Sequence, residues 1–164
     1  MLGYRAQMPS DPRVDATNRR LLQELVLDGR KTIRSLAAIV GLSEPAVRDR
    51  VNALEHDGII RRYSAVLEPT AVDAGTLAYV SVQFASGQEA RDDLNELLLA
   101  NTQVLEIHEV AGDDCYLLKI RVSSLDSLAD ALERLRAMPQ VLGTKSTVVL
   151  RTIAERPVTL PPEG

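Results

Sequence analysis

Apolar residues in the first third of the chain recur at helical spacing, and from Leu77 onward they gather into strand-like runs separated by helical stretches. Leu21 with Leu25 and Leu22 with Val26 stand four apart, which predicts a helix over residues 15–28 ended by Gly29. Leu36, Ala37, Ile39 and Val40 give a second short helix its apolar face, and Gly41 ends it. Ser43 then offers a hydroxyl as N-cap of a third helix, in which Val47, Val51 and Leu54 fall within one sector and Gly58 is the stop. The opposite side of that helix carries Pro45, Arg48, Asp49 and Asn52. Two short helices joined at a tight turn, the second polar on its outer side, predict a helix-turn-helix suited to the major groove of duplex DNA.

Residues 59–67 are β-prone and predict a strand closing the head, followed by a join at 68–76 opened by Pro69. The pattern then reads strand 77–84, helix 90–99, strand 104–110, strand 116–122, helix 125–137 and strand 141–153. That βαββαβ order predicts a ferredoxin-like antiparallel sheet with both helices on one face. The other face, with Tyr79, Ser81 and Gln83 and with Leu117, Lys119 and Arg121 or their alternates, is left for a second copy, so a homodimer is expected. The class is therefore α+β: a winged helix-turn-helix domain over 15–67, a linker over 68–76 and a βαββαβ domain over 77–154. A flexible arm over 1–14 and a tail over 155–164, both proline-bearing, flank them.

Charge changes this picture little. The chain of 164 residues carries −4 overall, but residues 1–70 hold 11 Lys and Arg against 9 Asp and Glu, and residues 71–164 hold 8 against 14. A weakly basic front suits phosphate and an acidic back suits another task. The single cysteine, Cys115, excludes an internal disulfide framework, and its acidic surroundings favour a packed thiol over a redox switch. There is no Cys/His cluster for structural zinc, no run of 18 apolar residues and no apolar leader among the first 20 residues, so a cytoplasmic protein without membrane attachment is expected.

Three stretches resemble one family. L-S-E-P-A-V-R-D-R-V-N-A-L-E-H-D-G-I-I-R-R-Y-S-A at 42–65 is similar to a third helix and G-x-I-x-x-Y-x-A strand of the Lrp/AsnC feast/famine regulators. V-A-G-D-D-C-Y-L-L-K-I at 110–120 resembles that family's V-T-G-D-Y-D-Y-L-L-K-V hairpin, and M-P-Q-V-L-G-T-K-S at 138–146 resembles its L-P-G-V-x-x-T-x-T. The resemblance covers nearly all of 15–153. It implies a dimeric transcription factor with a RAM/ACT-like second domain, further assembly often to octamers, no resident cofactor, and an amino acid bound at dimer junctions beside the Gly-Asp loop.

Candidate residues follow from residue chemistry and the resemblance together. Ser43, Glu44, Pro45 and Ala46 open the recognition helix, and Arg48 suits a bidentate guanine contact or a phosphate, or pairs with Glu44 in solvent. Asn52 reads adenine or meets phosphate, and Asp49 stands beside it. Arg50 braces the head or meets the DNA backbone, and Arg30, Lys31 and Arg34 straddle a phosphate strand or form a solvated basic loop. For the effector, backbone N–H groups at Gly112 and Asp113 suit a carboxylate, and Asp113 or Asp114 an ammonium. Asp114-Cys115 departs from the family's Tyr-Asp. Thr144 and Ser146 share a strand face that lines the same pocket or a dimer interface. His56 reads as a helix C-terminal cation. Two rival readings remain open: a tetrapyrrole decarboxylase of the same fold, for which His108 is the candidate, and a stand-alone amino-acid-sensing module.

Overall fold

A computed structural model of the chain describes residues 11–85, 88–111 and 116–160. The chain divides into two compact units, one running to Ala65 and taking in residues from Ala154, the other spanning Val66–Ile153.

Three capped helices build the first unit. Asp15 accepts from the Asn18 backbone N–H at 2.6 Å and starts α1, Ala16–Leu27. Thr32 does the same for Ser35 at 3.1 Å and starts α2, Ile33–Val40. Ser43 faces the Ala46 N–H at 3.4 Å and starts α3, Glu44–His56, with Pro45 in the first turn, where no backbone donor is lost. Gly41 at φ 70° and Gly58 at φ 71° take the left-handed conformation that ends α2 and follows α3. Leu21, Leu36, Ala37, Val47 and Val51 form the buried core, with Leu25, Ile33, Val40 and Ile60 against it.

Two expectations change here. Gly29 does not end α1 by a left-handed turn: the helix stops at Leu27 and Asp28 caps it through its N–H to the Glu24 carbonyl. The Tyr63 ring packs beside Gly29, where a Cβ would stand 3.4 Å from it, an ordinary contact. The strand expected over 59–67 is not a strand, because no ladder partner lies beside it among the described residues. It runs free of secondary structure, with Val66 99% exposed.

The second unit begins with a 3-10 turn, Pro69–Val72, and continues as β1 Thr76–Phe84, α4 Gln88–Ala100, β2 Val104–Glu109, β3 Tyr116–Val122, α5 Leu125–Arg136 and β4 Val141–Val148. The antiparallel sheet has the order β2-β3-β1-β4, with Val80 opposite Leu118 on one side and Ser146 on the other. Alternation sends Ala78, Val80, Val82 and Phe84 of β1 and Tyr116, Leu118, Ile120 and Val122 of β3 to one face. There Leu94 and Leu98 of α4 and Leu128, Leu132 and Leu135 of α5 seal them. The last strand stops at Val148, five residues before its expected end at Ile153, because its partner β1 begins at Thr76 and offers only one more acceptor, Leu77, to the Val149 N–H.

Within this unit, α4 and α5 leave the opposite sheet face uncovered among the described residues. Of the two alternate sets left open by the sequence, Tyr79, Ser81 and Gln83 lie there with Leu117, Lys119 and Arg121, joined by Glu106 and His108 of β2 and Lys145 and Thr147 of β4. Among the described residues, no helix is long and apolar enough to cross a membrane.

Leu118 has no exposed surface and lies in the middle of the helix-covered face. Leu118→Ala is expected to cost about 2 to 5 kcal/mol, from lost burial and an unfilled cavity. Urea unfolding followed by circular dichroism checks this; a loss below about 1 kcal/mol would mean the core closes over the gap.

Candidate nucleic-acid interface

α3 carries its apolar residues on one side and the candidate DNA-contacting residues on the other. At 100° per residue, Val47, Val51 and Leu54 fall in one sector, and all three are buried. Arg48, Asn52, Pro45 and Asp49 occupy the far side and are exposed, as are Glu44 and Ser43, while Ala46 is half-buried. The expected outward set is therefore outward. His56 is exposed in the last turn of α3, beside the carbonyl end of the helix.

The cations of the head sort into two groups. Arg50 donates from Nη1 to Asp15 Oδ2 at 2.7 Å and to Asn18 Oδ1 at 2.9 Å, so of the two roles open to it the brace between α3 and α1 is the one made in this structure. Lys31 reaches Glu24 at 2.6 Å, and Arg20 meets the same carboxylate at 3.1 Å. The Lys31 hydrogen bond is the main reason that the Glu24 pKa lies below the usual range. Arg13 pairs with Asp11 at 2.6 Å and approaches Asp57 at 3.9 Å. Arg30, Arg34, Arg48, Arg61 and Arg62 are exposed, and none forms an ion pair with a described residue. Of the expected basic cluster, Arg30 and Arg34 thus keep their charge available and Lys31 is engaged in the fold. Arg61 and Arg62 carry no helical periodicity and were not picked out by the sequence; a basic doublet three residues past the glycine stop was the available signal.

The second set of candidates is only partly described. Gly112, Asp113, Asp114 and Cys115 lie outside the described residues. Thr144 and Ser146 do share a face of β4, opposite Val82 and Val80 and hence on the helix side of the sheet. Thr144 Oγ1 accepts from Arg136 Nε at 2.8 Å, at the C-terminal end of α5. His108, candidate of the enzymatic rival, lies on the uncovered face with Nε2 3.0 Å from Glu106 Oε2. Glu106 also accepts from Lys119 at 3.0 Å, and these two bonds, His108 first, hold its pKa below the usual range. Among the described residues, no group of three or more His, Cys, Asp or Glu is placed to hold a metal ion.

The Arg50 brace has a pH signature. Asp15 is held below its ordinary value of 3.8, first by the Asn18 N–H and then by Arg50. A depressed carboxylate contributes stability that is present above the ordinary value and lost as pH falls through the folded value. Asp15→Asn keeps a capping oxygen and removes the charge, so its melting temperature should lie below the parent's at neutral pH, with the gap closing as the solution is acidified below 3.8. Thermal melts across pH check this, and a gap that stays constant would remove the ion pair from the account.

Comparison with known proteins agrees with this geometry. Residues 14–55 match the AsnC-type helix-turn-helix domain, and residues 77–159 match the Lrp/AsnC ligand binding domain. The chain is 37% identical over 139 residues to the HTH-type transcriptional regulator LrpA of Mycobacterium tuberculosis, covering 85% of this chain and 91% of that one. A Neisseria meningitidis transcriptional regulator solved with L-methionine superposes with a TM-score of 0.84 at 30% identity, covering 90% of this chain and 96% of that one. A feast or famine regulatory protein of M. tuberculosis, also complexed with L-methionine, does so with a TM-score of 0.81 at 34% identity, covering 90% and 99%. An outward-facing helix-turn-helix joined to a βαββαβ unit, with both halves matched in order, makes this chain a DNA-binding transcriptional regulator of the Lrp/AsnC family.

Proposed function

We propose that the chain works as a homodimer, assembling further to octamers, that docks α3 in successive major grooves of a two-fold related operator and changes its occupancy when an amino acid binds. The observation that carries the DNA half is the capped, outward face of α3, where Arg48 and Asn52 stand free of the fold. In this reading Arg48 reads guanine or meets phosphate, Asn52 and Asp49 read neighbouring positions, and Ser43, Glu44, Pro45 and Ala46 form the end that enters the groove. Arg30 and Arg34 hold the flanking phosphates. Support for the dimer comes from the uncovered sheet face and from the unpaired stretch ending in the exposed Val66 and Leu67, both of which a second copy would cover.

Support for an amino-acid effector comes from the two relatives solved with L-methionine. The proposed site joins the loop at Gly112, Asp113 and Asp114 with the Thr144 and Ser146 hydroxyls. Binding there alters DNA occupancy only through different affinities for two assemblies. Such a regulator works in the cytoplasm.

Anisotropy titration against the DNA upstream of its own gene, with each amino acid added in turn, tests the reading. Arg48→Ala should weaken operator binding by about 1 to 3 kcal/mol while the fold and the ligand response persist. Unchanged binding would take Arg48 off the reading face, and operator binding indifferent to all amino acids would remove the effector half.

A further inference from the structure

We infer that Arg61 and Arg62 form a second phosphate-binding element of the head, a basic strap beside α3. This rests on the DNA-binding reading above and adds a contact surface to it.

The need for such an element comes from α3 itself. Its exposed side sets Arg48 against Glu44 and Asp49, so the helix brings more negative than positive charge toward a polyanion. Arg50, Lys31, Arg20 and Arg13 are held by carboxylates of the head and contribute little to neutralising phosphate. Among the described residues from Asp11 to Ala65, the exposed arginines without an ion pair are Arg30, Arg34, Arg48, Arg61 and Arg62, and the last two are adjacent in sequence.

The strap is anchored at both ends. After α3 the left-handed Gly58 turns the chain, the Ile60 N–H returns to the Leu54 carbonyl at 3.0 Å, and the Ile60 side chain packs against the head core. On the other side of the pair, Tyr63 donates its hydroxyl to Glu55 Oε1 at 2.8 Å, and its ring lies against Gly29. The pKa of that hydroxyl is pushed up to about 12, by desolvation first and then by Glu55, so it remains a donor at working pH. Glu55 follows Arg48 by seven residues, which at 100° per residue puts both on one flank of α3, about 10 Å apart along its axis. The strap is therefore fastened to the flank from which Arg48 projects, and its ring anchor touches the turn that carries Arg30. A cation pair held to that flank meets backbone phosphates and carries no sequence information.

Full-length protein is titrated by anisotropy on the duplex from upstream of its own gene and on a scrambled duplex of equal length, between about 50 and 200 mM salt. For Arg61→Gln with Arg62→Gln, affinity should fall by one common factor on both duplexes. The slope of log affinity against log salt should become shallower by about 0.9 for each phosphate that the strap no longer neutralises. The Lys pair at the same positions should restore the slope, and Tyr63→Phe, which frees the anchored end, should lose part of it. An unchanged slope in the Gln pair while the parent binds the operator would overturn the strap alone. A loss confined to the operator duplex would also overturn it, because that pattern belongs to base reading. A parent that binds neither duplex would overturn the underlying DNA reading and the strap with it.

Discussion

Two helices can cover only one face of a four-stranded sheet, and the second unit is arranged around that restriction. β1 pairs on both sides, so its backbone is satisfied within the chain, and its alternate residues Ala78, Val80, Val82 and Phe84 are sealed by α4 and α5. The other alternates have no such cover. An antiparallel sheet tolerates a solvated face when that face is polar. This one mixes Tyr79 and Leu117 with Lys119, whose side chain is only 9% exposed and is tied to Glu106. A lysine already desolvated and paired belongs to a surface prepared for contact more than to an ordinary solvated one. In the proposed dimer that face meets its own copy, and the two-fold axis this creates sets the symmetry of any operator the pair reads.

In the head the corresponding restriction is electrostatic. In this three-helix domain a cation that pairs with a carboxylate of the fold is less available to DNA. Arg50 and Asp15 illustrate the exchange: one guanidinium satisfies the cap residue of α1 and Asn18 together, fixing the angle at which α3 projects. Rigid placement of α3 matters more for base reading than one further phosphate contact, because bidentate hydrogen bonds tolerate little angular error. In the proposed complex Arg48 and Asn52 would act from a helix already oriented, and most of the attraction to phosphate would fall to residues outside it.

Much of this was legible in the sequence because helical and strand periodicities are strict. Val47, Val51 and Leu54 placed the outward side of α3, and alternation divided the sheet residues into two sets, of which the one with Tyr79, Ser81 and Gln83 proves to lie on the uncovered side. Tyr116–Val122 was read to the residue, since both its ends are marked by a change of pattern. What failed depended on partners that composition does not name. Residues 59–67 have the composition of a strand but no neighbouring edge, and β4 stops where β1 runs out of acceptors. Gly29 looked like a helix stop, but the helix ends before it with Asp28 as its cap. The two roles open to Arg50 could not be separated until the carboxylate of a residue 35 positions away was seen beside it.

β4 suggests how a bound amino acid would reach the assembly. Alternation puts Thr144 and Ser146 on the helix side, while Lys145 and Thr147 face the uncovered side beside Ser81 and Tyr79. If the effector occupies the proposed site, the strand that offers it hydroxyls also presents the surface through which copies would meet, separated only by the thickness of one backbone. β4 is an edge strand, paired with β1 on one side, packed on the core through Val141, and tied to α5 by the Arg136 bond to Thr144. A ligand group that competes for the Thr144 hydroxyl would release Arg136 and remove that side-chain tie between β4 and α5. A small shift of the strand then appears directly on the opposite face. Coupling between ligand and assembly needs no long pathway in such an arrangement, only a difference in how well two assemblies accept the two positions of that edge.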